Sequence, residues 1–282
     1  MKDKNCYLAL YLGSSFFLST GYSTVFGISS KDSWVSMILG ILIGFLILFL
    51  VKKSKVETFE HSWIGRCFQI CFHSFMFLYS LSLILHFIGT FFLIQTPRAF
   101  LLLPLALLLI RISKLHYATL NSLAKVCIPI LLMLYLLIFI GLISHVHVDY
   151  ILPVFTSSFV DIILSSIVFG VYLSIPYLLL EKHYSFKSYF ISSTLVFIVG
   201  MFIILVLGTN EYALAYHPLY SLLQEIKVFN FMENLENILS FAFLIPVFFT
   251  LFISCVSLKK DFRNAHGFFA FFAFLLIVSI FL

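Results

Sequence analysis

The sequence predicts an all-α membrane protein, a bundle of about nine transmembrane helices with little mass outside the bilayer. Three observations predict it. Apolar residues fill 62% of the 282 positions and charged residues only 10%, against about 25% charged in a soluble domain. Long apolar runs follow one another along the whole chain, with no polar stretch long enough for a globular module, so residues 1–282 read as one polytopic domain. The basic residues gather in alternate connections, as the positive-inside rule requires.

Taken in order, the runs are Tyr7–Ile28, Ser33–Val51, Cys67–Gln95, Ala99–Ile112, Val126–Ser144, Ile162–Leu180, Ser188–Gly208, Asn237–Leu258 and His266–Leu282. Lys2 and Lys4 precede the first run, which reaches spanning length without a small-residue cleavage pattern. It is expected to stay in place as a helix. The fourth run is short, and charge tests it. With nine spans and a cytoplasmic N-terminus, the inside segments hold Lys2, Lys4, Lys52, Lys53, Lys55, Arg66, Arg111, Lys114, Lys125, Lys182, Lys187, Lys259, Lys260 and Arg263. The outside segments hold Lys31, Arg98 and Lys227. Without the fourth span the division becomes seven inside and ten outside, and the bias is lost. The fourth run is therefore expected to cross.

The net charge of +5 reads as an orientation signal, since no basic patch interleaved with aromatics suggests nucleic acid. Cys6, Cys67, Cys71, Cys127 and Cys255 fall near cytoplasmic helix ends, and an odd count at a reducing face argues against a disulfide framework. Cys67, Cys71 and His73 could approach a metal but lack a fourth ligand, so small packing residues are the expectation and no metal is assigned. No Ser-His-Asp, H-E-x-x-H, Walker or Rossmann pattern stands in a plausible context, so neither an enzyme nor a cofactor is expected.

No Asp, Glu, Lys or Arg lies deep in a predicted span, which argues against a carboxylate proton relay. His73 and His86 are the interior candidates, either as hydrogen-bonding contacts between helices or as ligand or proton groups. The first run is interrupted by Gly13, Ser14, Ser15, Ser19, Thr20 and Gly21, and the sixth by Ser165, Ser166, Gly170, Ser174 and Pro176. Paired interruptions five helices apart point to a binding site in inverted-repeat transporters, where a helix break frees backbone groups for a ligand. Close packing through small residues needs the same residues and no ligand. Thr209–Glu236 is the one long polar stretch. Leu219, Leu222, Leu223 and Ile226 predict a short amphipathic helix in it, on the outer face.

Six short stretches together carry a family resemblance: Leu12-Gly13-Ser14-Ser15-Phe16, Ser30-Lys31-Asp32-Ser33-Trp34-Val35-Ser36, Thr96-Pro97, Leu152-Pro153-Val154, Phe169-Gly170 and Glu233-Asn234-Leu235-Glu236. In order and spacing they resemble the spore germination permease family, the B subunits of germinant receptors, within the amino acid–polyamine–organocation transporter superfamily. Lys31 and Asn234 stand where that family carries Arg, and the chain stops after nine spans where the family has ten. The resemblance implies a five-plus-five inverted-repeat fold like that of the leucine transporter, lacking the tenth helix, with broken first and sixth helices and a lid-like outer segment before the eighth. It implies a small nutrient such as an amino acid as ligand, A-type and C-type receptor subunits as partners beside membrane lipid, and a bacterial cell membrane or spore inner membrane as location. The expected ligand contacts are Gly13, Ser14 and Ser15 in the first helix and Phe169, Gly170 and Ser174 in the sixth. The alternative is an amino acid transporter working by alternating access, and a third reading is a scaffold that stabilises partner subunits.

Overall fold

The computed structural model describes residues 22–53, 63–93, 95–152, 154–180, 185–214, 221–223, 238–262 and 265–281. Their helices are α1 (Tyr22–Ser29), α2 (Ser33–Lys53), α3 (Trp63–Phe91), α4 (Arg98–Ile112), α5 (Tyr117–Leu142), α6 (Phe159–Leu178), α7 (Phe186–Leu214), α8 (Phe241–Asp261) and α9 (Ala265–Phe281). Each predicted run meets one of them, although Tyr7–Gly21 of the first lies outside the described residues. Among the described residues, six helical stretches are long and apolar enough to cross a bilayer: Thr24–Lys53, Gly65–Phe91, Tyr117–His145, Phe159–Leu178, Phe186–Gly208 and Phe241–Asp261. The first of these joins α1 and α2 through a 3-10 turn at Ser30–Asp32, where Ser30 has φ 42°. At ~1.5 Å per residue, α4 is about 22 Å long, short of the ~30 Å hydrocarbon core.

The helices form two groups. In one, α1, α2, α6 and α7 pack together; in the other, α8 is wrapped by α3, α4, α5 and α9. Helices five positions apart pair across the chain: α1 with α6, α2 with α7 and α3 with α8. Phe139 of α5 stacking on Phe202 of α7, ring centroids 4.6 Å apart, joins the groups.

Helix directions test the short fourth run independently of charge. Ser36 meets Ile162 and Ser165 near the starts of α2 and α6, and Gly44 meets Gly170 further along both, so these helices run parallel. Three intervening crossings give that direction; two would reverse it. The geometry agrees with α4 as a crossing helix.

Pro246 and Gly208 free carbonyls that the fold reuses. Pro246 has no N–H to donate to Ala242 one turn earlier, and the Tyr135 hydroxyl of α5 donates to the Ala242 carbonyl at 3.3 Å. Gly208 (φ 69°, ψ 176°) breaks the helical path of α7, a conformation open only to glycine. The Leu205 carbonyl below it accepts the His147 N–H at 2.9 Å. The break among the described helices is thus at Gly208. The expected break in the sixth helix is not seen: α6 runs unbroken through Gly170 to Leu178. Of the expected amphipathic outer helix, residues 221–223 are described, one helical turn with Leu222 and Leu223 buried.

Candidate functional site

The α2–α6 seam is built from small residues. Ser36, Gly40 and Gly44 recur every fourth residue on α2, and Ser166, Gly170 and Ser174 do so on α6, so each set lines one helix face. A Cβ at Gly170 would lie 2.8 Å from the Gly40 carbonyl oxygen and 2.9 Å from the Gly44 nitrogen. A Cβ at Gly40 would lie 2.7 Å from Cδ1 of Phe169. Gly170 therefore serves close approach of two backbones, and Phe169 is the large side chain closing over Gly40. This is the packing that membrane helices reach through small residues.

Hydroxyls line the same seam. Ser165 Oγ lies 2.6 Å from Ser36 Oγ and 3.1 Å from the Ile162 carbonyl, to which Ser166 also donates at 2.6 Å. Ser174 donates to Val171 within its own helix at 3.0 Å. Further along, Tyr177 and Ser192 share a hydrogen bond, Tyr189 donates to the Ile41 carbonyl at 2.8 Å, and Tyr22 donates to the Val196 carbonyl. The seam is polar, buried and internally satisfied.

A carboxylate closes one end of it. Asp32, fully buried, accepts the N–H groups of Phe155 at 2.6 Å and Ser157 at 2.7 Å, with the Thr156 hydroxyl at 3.4 Å. Lys31 Nζ donates to the Leu152 carbonyl at 2.8 Å, and Ser157 Oγ donates to the Ser29 carbonyl at 2.8 Å. Phe155 has φ 61°, a left-handed conformation held by these bonds. Ser158 then caps α6: its Oγ accepts the Asp161 N–H at 3.1 Å and donates to the Asp161 carboxylate at 2.7 Å. One residue past Asp32 and Ser33, the indole N–H of Trp34 is buried without a partner, the one such side-chain atom among the described residues.

Of the sequence-predicted contacts, Phe169, Gly170 and Ser174 come together on the buried seam, while Gly13, Ser14 and Ser15 lie outside the described residues. His73 behaves as an interhelical contact: its Nδ1 lies 2.5 Å from Asp261 Oδ2, tying α3 to the end of α8, with side-chain exposures of 5% and 11%. Among the described residues no group of three metal-binding side chains forms, and Cys67 and Cys71 are exposed rather than packed. Sequence reading missed the roles of Asp32 and Asp261. The signal for Asp32 was a carboxylate at the mouth of an apolar run; its acceptor duty lay more than a hundred residues away.

A family model described as spore germination protein matches residues 8–281. The chain belongs to that family. The searches of curated proteins and of solved structures found no match. Two resemblance stretches of this spore germination protein, Ser30–Ser36 and Leu152-Pro153-Val154, are the two sides of the clamp: Lys31 holds Leu152, and Asp32 holds the residues just after Val154. The third, Phe169-Gly170, is the tight point of the α2–α6 seam. The family and the apolar helices make it a multi-pass integral membrane protein with a germination-related role.

Proposed function

We propose that the protein is the membrane subunit of a spore germinant receptor, binding a small nutrient such as an amino acid and passing that state to A-type and C-type partner subunits. The observation that carries the reading is the family match over nearly the whole chain. Two features support it. The described helices divide into two groups, the arrangement in which a ligand can favour one relative position over another. The described spans hold no charged residue in their central third, and the His73–Asp261 hydrogen bond sits at a helix end, which suits sensing better than strong ion coupling.

The ligand would sit between the first helix at Gly13, Ser14 and Ser15 and the sixth at Phe169, Gly170 and Ser174, in the inner membrane of a spore, with the N-terminus cytoplasmic. Ser174 would turn its hydroxyl from the Val171 carbonyl toward the ligand, and Trp34 offers an unused donor. No catalytic step is part of this role.

The test is binding and uptake of radiolabelled amino acids in the same reconstituted vesicles. Saturable binding without accumulation, weakened about tenfold by Ser174→Ala in a variant of unchanged thermal stability, is the expected result. Concentrative uptake would favour the alternative, an amino acid transporter working by alternating access. Absence of saturable binding for all amino acids would remove the nutrient reading.

A further inference from the structure

The chain passes from one helix group to the other between α5 and α6, and the attachment of that passage is uneven. From His147 onward every anchor belongs to the α1–α2–α6–α7 group. The His147 N–H is held by Leu205 of α7. The Tyr150 ring lies 3.3 Å from where a Cβ on Gly208 would stand, so the glycine kink makes its seat. Lys31 holds the Leu152 carbonyl, Asp32 holds Phe155 and Ser157, and Ser157 holds Ser29. On the other side, α5 is bound to α8 by Tyr117 with Ser257 at 2.7 Å and by Tyr135 with Ala242. Between these anchored stretches lies Ile143–His145, a single 3-10 turn, followed by Val146. Ile143 is 72% exposed, α5 ends without a side-chain cap, and no tertiary hydrogen bond holds these four residues.

We propose that residues 147–158 move as part of the α1–α2–α6–α7 group, and that the joint between the two helix groups on this passage is the turn Ile143–Val146, with the His147–Leu205 bond closing it and Asp32 tying the far end of the passage to the turn between α1 and α2. A joint forms where backbone torsions can change without breaking long-range bonds, and here only a local 3-10 turn must yield. If Asp32 lost its grip, the turn before α6 would keep only the Ser157–Ser29 bond, and movement of one group would be delivered less firmly to the start of α6. The proposal concerns how the protein moves and does not depend on which ligand it takes.

Spin labels test it in lipid nanodiscs without ligand, in a chain whose native cysteines are replaced by alanine. One label at exposed Leu152 is paired either with exposed Leu46 on α2 or with exposed Val126 on α5. Both partners stand more than ~20 Å along their helices from the passage, within range of double electron–electron resonance. The Leu46–Leu152 distribution is expected to be narrow and the Val126–Leu152 distribution at least twice as wide or split. Equal widths, or the reverse order, overturn the proposal. Asp32→Ala is expected to speed amide exchange at Phe155 and Ser157 at least tenfold while His147 stays slow; no acceleration would remove Asp32 from the device. Hydrogen exchange on the unsubstituted protein gives an independent reading. The amides of His147, Phe155 and Ser157 should exchange at least tenfold slower than those of Ser144–Val146, and equal rates count against the joint.

Discussion

The α2–α6 and α3–α8 seams each join two long apolar helices, and they do so by opposite means. In α2–α6 the helices meet through Gly40, Gly44 and Gly170, with serine hydroxyls bonded across and along the contact. In α3–α8 large side chains fill the space: Phe87 and Phe243 lie 4.7 Å apart by ring centroid, and His73 meets Asp261 at the end. Lipid is as apolar as leucine, so burial alone does not draw helices together in a bilayer; close contact and hydrogen bonds must do it. The first seam uses backbone proximity, which tolerates no added volume. The second uses side-chain interlocking, which tolerates rearrangement, with the His73–Asp261 hydrogen bond as a polar tie at its end.

The sharpest way to break this contrast is volume at the glycines. Gly170→Leu should destabilise by about 3 kcal/mol or more, because the added atoms meet the α2 backbone at both Gly40 and Gly44. It should appear as lost yield of folded protein or a steep fall in Tm in detergent. Gly89→Ala in α3, where the new methyl would meet a Leu101 methyl at 3.8 Å, should leave stability unchanged or raise it by about 0.5–1 kcal/mol through helix propensity. Equal effects at the two glycines would show that Gly170 is not a point of close backbone approach.

Asp32→Ala comes next in size. It removes a buried carboxylate that accepts two backbone N–H groups of the turn before α6, a loss of about 2–3 kcal/mol. Limited proteolysis should then cut near Phe155 while the α3–α8 seam stays resistant. His73→Ala follows, at about 2 kcal/mol, since Asp261 loses its charged-group hydrogen bond. A double-mutant cycle with Asp261→Asn sharpens this: the coupling should account for most of the single-mutant loss. Tyr135→Phe is the smallest change, about 1 kcal/mol, leaving the Ala242 carbonyl that Pro246 freed without its donor. Chemical denaturation of the purified variants ranks all three.

Much of this was readable before folding, and the misses share one cause. Run lengths located the helices to within a few residues in most cases, because the bilayer sets a length scale that composition must match. The exception is α5, which begins at Tyr117 rather than at Val126. Its first turns carry Asn121 and Lys125 and so fell below an apolar reading, yet Tyr117 is needed there to reach Ser257. Gly170 was visible as an interruption, but a glycine that bends a helix and one that admits a neighbour look alike in sequence. Only the presence of Gly40 and Gly44 opposite distinguishes them. The real kink, Gly208, stood at the end of a run and looked like an ordinary terminus.

The sequence by itself determined that the chain is helical, membrane-embedded and of the spore germination protein family, since apolar run length and short motifs are properties of consecutive residues. Tertiary structure alone decided which helices share a group, that Asp32 grips Phe155 and Ser157, and that Asp261 answers His73. These are pairings across more than a hundred residues. A carboxylate announces that it needs donors, but which backbone supplies them is settled by how the helices pack.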